Sequence, residues 1–540
     1  MTRPWYSFYP ENVPEKIELP TISLYELLLR SAENYPSHKA VIDGNQELTY
    51  SELKYASDYF ASALYNRGFR KGDRMAIMLP NSSEYIISYF AVHRLGGIVC
   101  QINPMYQPRE LEYILQNSES NWFISFEEQQ YKLKELGSND KLTIISADRD
   151  QLDINNLYEW IKEENNFLPR LDINPEEDIA LLQYTGGTTG RSKGVMLTHA
   201  NLLTNVFQSV TFQRDELQIP GERAFGLSPL FHIAGIVNLN QSILIGSTFI
   251  AVRRFQIETT LELIRKHRPT IFSGNPTIYI SLTNYINLRD SDLESFKICA
   301  SGTAPLPLEV MNDIKKKTNA RVYEAFGMSE TLITHRTPLT ASVKLGSVGV
   351  PLPNTDSKIM DIETGTKEMP IGEAGELIIK GPQVMKGYWK NPEETEHALR
   401  NGWMYTGDIA YMDDDGFFYV VGRKKDMIIA GGYNIYPNEI EEVLYQHPAV
   451  LEACVYGVPD SYRGETVKAV IVIKKLGNVS EEEIVNWCND RLARYKVPRL
   501  IEFRSELPKS SVGKILRRIL VDEEEEKSKK LKKIQGAIQS

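Results

Sequence analysis

The stretch from Tyr184 to Gly194, YTGGTTGRSKG, concentrates more chemistry than any other part of the chain. Its centre sets Gly186, Gly187 and Gly190 among Thr185, Thr188 and Thr189. Glycines let backbone N–H groups come close to a phosphate, and the hydroxyls add donors. Lys193 contributes a point charge. Apolar residues before the loop read as a strand and a helix is expected from about Thr198, so the loop is predicted to join strand to helix. A Walker A loop needs glycine before its lysine and a hydroxyl after it; here Ser192 precedes Lys193 and Gly194 follows. That argues against a standard P-loop kinase or GTPase. No GxSxG elbow or placed Cys/His pair offers a protein nucleophile. The four cysteines, Cys100, Cys299, Cys454 and Cys488, form no CxxC, which argues against a zinc site or a disulfide framework and for a reducing compartment.

A phosphate loop acts only if a scaffold holds it. The 540 residues are 42% hydrophobic and 24% charged, a globular composition with ample core. With 61 Lys+Arg against 71 Asp+Glu the formal charge is −10, the wrong sign for a protein that grips nucleic acid. The N-terminal MTRPWYSFYPENVPEKIELP lacks the apolar run of a secretory signal. Ala224 to Val252 carries no Asp, Glu, Lys or Arg, but Pro229, His232, Asn238 and three glycines divide it, so it reads as buried core.

The first 200 residues alternate helix and strand: SLYELLLRSAENY from Ser23, RMAIML from Arg74, SEYIISYFAVHRLGG, then the strand before the loop. This βαβ rhythm predicts parallel-type sheets covered by helices, with ligands at the carboxyl ends of strands. From about 344 to 422 dense turns and short strands predict a β-rich subdomain. A small α+β domain follows over 426–540. The expected organisation is an α/β N-terminal domain over 1–424, a hinge at Lys425 and a mobile C-terminal lid. Its charged tail from Asp522 reads as a solvated helix end.

Further motifs follow in order: LFHIAG at 230–235, SGTAPL at 301–306, EAFGMSE at 324–330, YTGD at 405–408, GRKKDMIIAGGYNIYPNEIE at 422–441 and PKSSVGK at 508–514. With the glycine loop, this series resembles the acyl-activating, adenylate-forming enzymes across nearly the whole chain, and most of all their fatty acyl-CoA synthetase branch. The resemblance implies ATP, Mg2+ and CoA as cosubstrates. It makes Glu330 and Thr185 the magnesium ligands, although a lone glutamate after a glycine turn would ordinarily be a solvated surface residue. Ala325, Phe326, Gly327, Met328 and Ser329 would flank the adenine. Phe326 stands where the family usually has tyrosine, so the ring is kept and the hydroxyl lost. Gly302 and Thr303, with Ala304, would form the adenine-side strand end.

Asp408 would accept both ribose hydroxyls, although Gly-Asp is also a common Asx-turn. Arg423 would hold the ribose and phosphate edge. A lone histidine is usually a core residue, yet in this family the aromatic–His pair lies between substrate carboxylate and phosphate loop, which makes His232 the orienter of the acid. Lys514, on a glycine-hinged loop, would meet the negative charge that develops in adenylation. Residues 490–518 hold nine Lys/Arg against three Asp/Glu, a surplus of six where phosphates need it.

The implied reaction is two-step. A carboxylate attacks the α-phosphate of ATP to give acyl-adenylate and pyrophosphate; the CoA thiol then expels AMP. Because Lys514 blocks CoA entry, the small domain would swing about Lys425, bringing AGGYN and Gly432 to the pantetheine channel. Gly235 and Gly274 suggest room for a long apolar acyl group, with walls from Phe231 to Asn238 and 273–279. A medium- or long-chain fatty acid is the leading substrate. The alternatives are an aryl or short-chain acid, loading of a carrier protein's phosphopantetheine, and a nucleotide-binding sensor. Peripheral membrane contact and a homodimer are compatible with this reading, and the expected compartment is the cytoplasm.

Overall fold

The computed structural model describes residues 3–136, 141–150, 155–162, 168–185, 192–302, 306–338, 344–460, 462–474, 479–510 and 513–539. Local signals set many helix starts. Ser23 and Glu26 close a reciprocal capping box on the helix Leu24–Asn34, and Thr49 with Glu52 does the same for Tyr50–Asn66. Such a cap is worth about 1 kcal/mol.

Four sheets carry the chain. In the nine-stranded sheet, six strands run parallel at the centre: Lys39–Asp43, Thr248–Ala251, Arg223–Gly226, Ile271–Gly274, Ile298–Ser301 and Arg321–Met328. Antiparallel strands close both edges, Gln46–Thr49 on one side and Leu332–Arg336 with Val350–Pro351 on the other. The seven-stranded sheet is parallel through Thr143–Ser146, Trp122–Ser125, Arg74–Met78, Ile98–Gln101 and Ile179–Thr185. The expectation of parallel sheets therefore describes the centres; antiparallel strands close both edges of the nine-stranded sheet and one side of the seven-stranded sheet, whose other edge, Thr143–Ser146, is parallel.

One edge corrects the reading of the glycine loop. Lys193–Thr198 is a strand, antiparallel to Ile179–Thr185 with Thr185 opposite Lys193, and the helix His199–Phe212 begins only after it. The loop joins two strands of a hairpin. The expected strand–loop–helix pattern leaves KGVMLT without an element, although its β-branched and apolar residues suit a largely buried strand, which here has Gly387–Tyr388 on its other side.

The uncharged stretch at 224–252 folds as strand, the helix Ile233–Leu244 and strand, and among the described residues no helix is long and apolar enough to cross a membrane. Residues 356–423 form a five-stranded antiparallel sheet. A second five-stranded sheet, from Ile428–Ala430 to Leu500–Arg504, has its own core around Ile440, Val455, Ile471 and Ile484. Tyr445 and Leu451 pack from this last portion against the cluster that contains Leu306, Val310 and Met311. The final helix, Arg517–Gln539, buries Leu520 near its start, while Glu524 pairs with Lys468 and Glu523 with Arg504.

Candidate active site

Strand register assembles the first pair. The strands Trp403–Met412 and Phe418–Arg423 run antiparallel with Asp408 opposite Arg423, and Arg423 Nε lies 3.4 Å from Asp408 Oδ1. Asp408 is buried, which raises its carboxyl, while Arg423 and Lys514 pull it back down. The short helical turn Lys424–Asp426 follows at once, and burial lowers the Lys425 ammonium there.

Lys514 reaches the cluster from the C-terminal sheet. Its loop closes through Ser510 N–H to the Lys514 carbonyl at 2.8 Å and Leu516 N–H to Pro508 at 2.8 Å. Gly513, at φ +73°, turns the loop so that its carbonyl accepts from Thr277 Oγ1 at 2.8 Å. A Cβ at Gly513 would stand 2.9 Å from the Asn275 amide, so this close approach requires glycine. Asn275 also caps the helix Pro276–Thr283. Burial, then the charge of Arg423, brings the Lys514 ammonium down to about 8.

His232 is the N-cap of the helix Ile233–Leu244, its Nδ1 accepting from Ala234 N–H at 3.3 Å. Burial, and then Lys514, lowers its pKa to about 4, so near neutral pH the ring is uncharged. With Nδ1 accepting, the proton sits on Nε2, and the ring keeps one donor suited to a carboxylate.

Glu330 is buried and accepts from the Tyr388 hydroxyl at 2.8 Å. Burial raises its carboxyl, opposed by the Tyr388 bond and by Arg423. Lys193 lies 5.3 Å from the centre of the Tyr388 ring and pairs with Glu394 at 2.6 Å. Thr185 ends its strand, and its carbonyl accepts from the Ser192 hydroxyl. Among the described residues no cluster of three or more His, Cys, Asp or Glu forms a dedicated metal cage. One buried carboxylate, whose donor Tyr388 stands against Lys193, suits Mg2+, which usually binds through one or two carboxylates plus substrate phosphates. Glu330 and Thr185 would hold it, and the ion would supply charge neutralisation.

Glu330, Asp408, Arg423, Lys514 and His232 thus form one electrostatic neighbourhood. The EAFGMSE residues run through the turn between Arg321–Met328 and Leu332–Arg336. Ala325, Met328 and Ser329 are half-buried there and Gly327 is exposed. A Cβ on Gly327 would meet the Leu332 carbonyl at 2.0 Å. The Phe326 ring stands edge-on to His335, 5.8 Å between centres. Gly302 ends Ile298–Ser301, and its missing Cβ would meet only the Ala325 carbonyl, at 3.7 Å. Gly186, Gly187, Thr188, Thr189, Gly190 and Thr303, with Ala304, lie outside the described residues. Gly432 sits at the exposed turn between Ile428–Ala430 and Tyr433–Ile435, at φ +83°.

Tyr388, Thr277 and Asn275 were missed in the sequence. Tyr388 belongs to no motif quoted above, and 273–279 was read as acyl-tunnel wall rather than as the dock for the Lys514 loop. Two glycines have a packing role that the sequence did not show. A Cβ on Gly235 would lie 2.1 Å from the Pro229 carbonyl, and one on Gly274 would lie 3.0 Å from the Phe272 ring. Close packing accounts for glycine at both positions. The basic surplus at 490–518 is also largely spent on structure: Lys496 pairs with Glu439, Lys509 with Glu452, and Arg517 with Asp426 and Glu441.

Comparison with known proteins gives the family. Residues 28–389 match the AMP-binding enzyme family and 439–514 the AMP-binding enzyme C-terminal domain. The chain is 44% identical to a long-chain-fatty-acid–CoA ligase of Bacillus subtilis, over 97% of this chain and 98% of that one. It is 37% identical to a feruloyl-CoA synthase of Amycolatopsis, over 91% and 96% of the two chains. The crystal structure of ATP-bound MatB from Rhodopseudomonas palustris superposes with a TM-score of 0.86 at 30% identity, covering 93% of this chain and 98% of that one. An ordered motif series, one cluster that joins the C-terminal loop to the nucleotide-side strands, and these matches make the chain a member of the AMP-binding enzyme family.

Proposed function

We propose that the chain ligates a medium- or long-chain fatty acid to CoA, AMP-forming, through an acyl-adenylate. The observation that carries this reading is the convergence of Lys514 with Asp408, Arg423 and His232. In the first step the neutral His232 donates to the acid and holds it, while Lys514 meets the charge that develops between carboxylate and α-phosphate. Asp408 accepts from the ribose hydroxyls and Arg423 anchors their phosphate side. No protein nucleophile is needed; positioning and electrostatics supply the acceleration. In the second step the thiol of CoA attacks the acyl carbon and AMP leaves. For that step the C-terminal portion turns about Lys425, withdraws Lys514 and brings the AGGYN turn inward.

Similarity to the Bacillus ligase over nearly the full chain supports the fatty-acid class. An aryl acid is the second reading, supported by the similarity to feruloyl-CoA synthase. The proposal places catalysis in the cytoplasm, with contact to a membrane surface where the acid is delivered and pairing of two copies; vesicle flotation and sedimentation test these two points. The deciding experiment is AMP release with ATP and Mg2+ across acids from acetate to stearate, plus benzoate and ferulate, each with and without CoA. CoA-dependent turnover that peaks at octanoate or longer is expected. Turnover confined to aryl acids would select the second reading. Adenylation indifferent to CoA would redirect the search to a carrier protein, and no turnover with any acid would sink the enzyme reading.

A further inference from the structure

A cavity of about 40 Å³ lies between the helix Ile233–Leu244 and the face of the nine-stranded sheet to which Arg223–Gly226, Ile271–Gly274 and Arg321–Met328 belong. Apolar side chains such as Phe225 and Phe249 form part of its wall, but so do Asn238, Gln241, Ser273 and Arg336. Arg336 is 3% exposed, and its Nε and Nη1 have no hydrogen-bond partner among the described residues. Its guanidinium lies 5.4 Å from the centre of the Tyr323 ring. The Gln241 amide nitrogen is likewise buried without a partner. No aspartate or glutamate lines the cavity.

A buried cation without an anion is costly, and a buried polar group left unpaired costs the full price of its desolvation. A purely alkyl guest would leave both costs in place. The position says what guest would not. Asn238 and Gln241 lie six and nine residues beyond His232 on one helix, which places the cavity roughly 9–14 Å from the site proposed for the reacting carboxylate, at 1.5 Å per residue. A water needs about 10–15 Å³ on this measure, so the cavity accommodates about three water-sized groups, the size of a carboxylate head.

We infer that Arg336 and Gln241 form a distal subsite for the second carboxylate of an α,ω-dicarboxylic acid. Such an acid is adenylated at one end and held at the other by a charge-assisted hydrogen bond to the guanidinium. The chemistry is that proposed above, and the product is an ω-carboxyacyl thioester. The inference therefore rests on the ligase reading.

The test compares kcat/KM for dodecanoate with dodecanedioate, and for hexadecanoate with hexadecanedioate, in the wild type, Arg336→Leu and Arg336→Lys. In the wild type at least one diacid is expected within about tenfold of its monoacid. In Arg336→Leu that diacid should lose about a hundredfold, because its inner carboxylate is then buried unpaired, while the monoacid changes by only a few-fold. Arg336→Lys should recover part of the loss. Thermal unfolding of Arg336→Leu should begin at a higher temperature, since an unpaired buried cation has been removed. A wild type that rejects every diacid by a hundredfold or more would overturn the proposal whether or not the variants fold, as would an equal loss on both acids in a folded Arg336→Leu. Failure with every monoacid and diacid alike would overturn the fatty-acid reading and the subsite with it, whereas normal monoacid turnover beside rejected diacids would overturn the subsite alone.

Discussion

In the proposed adenylation step Lys514 acts only while it carries its proton. Burial and Arg423 bring its ammonium to about 8 from an ordinary 10.5. As pH rises through about 8 the docked lysine discharges, so pyrophosphate exchange should fall on an alkaline limb near that pH. Stability moves the other way. Between about 8 and 10.5 the unfolded chain holds the proton that the folded one has lost, so this group's contribution to folding rises with pH while the rate falls. Lys514→Arg should push the limb to higher pH, because a guanidinium stays charged; a limb unmoved in that variant would assign it to another group. Lys514→Ala should cost about 10²–10³ in pyrophosphate exchange. Thioester formation from supplied acyl-adenylate should survive, and its loss as well would indicate a damaged fold.

Elements meet at two points where the cost of a change can be stated. Gly235 opens the helix Ile233–Leu244 against the Pro229 carbonyl, and a methyl there would lie 2.1 Å from that oxygen. Gly235→Ala should destabilise by about 1–3 kcal/mol, the usual range for overpacking, and lower the onset of thermal unfolding; an unchanged onset would mean the loop yields freely. The second point is the start of the helix Leu308–Lys317. Glu324 accepts from Leu306 N–H at 3.0 Å, and Glu442 of the C-terminal portion accepts from Leu308 N–H at 3.3 Å. Burial, with Glu442 adding to it, raises the Glu324 carboxyl to about 8 from 4.5. The folded chain therefore keeps a proton that the unfolded chain loses, and the stability this group lends is complete below about 4.5 and gone above about 8. Glu324→Gln should flatten the decline of stability across that window; an unchanged slope would place the titration elsewhere.

These two points also show how far the sequence could be read. Ser23 with Glu26, and the paired glycines after the helix Ser83–Arg94, announce their elements locally, so those helices were legible. Asp408, Arg423, Glu330 and Lys514 were legible because each sits in an ordered motif. The strand Lys193–Thr198 was not: six residues, four of them buried, carry little periodicity, and the glycine loop dominated the reading. The close packing at Gly235 and Gly274 was not legible, because a small residue looks the same whether it makes room for a ligand or for a neighbouring carbonyl or ring. Tyr388 could not be found, since its meaning comes from Glu330, 58 positions away.

At the scale of the whole molecule, the proposed reaction asks for two dockings of the C-terminal portion, one for each step. Gly513 is seated on Thr277 and Asn275 and Lys514 lies in the cluster, while Gly431 and Gly432 sit on an exposed turn. Among the described residues the seat includes the Thr277 bond, Glu442 on Leu308 N–H, Tyr445 and Leu451 against the Leu306–Met311 cluster, and Tyr436 and Pro437 beside Gly422. An interface of that kind suits a portion that must leave and return. The turn Lys424–Asp426 is a short connection where the rotation can be absorbed, because a few residues at an element's end suffice to take up a large change in φ and ψ. Proline at 425 would fix its own φ and bias Lys424 toward extended backbone. Lys425→Pro should therefore keep pyrophosphate exchange, which needs only the docking seen here, and lose thioester formation from supplied acyl-adenylate, which needs the other. Loss of both steps together would place the hinge elsewhere, and retention of both would mean that CoA reaches the acyl carbon without the turn.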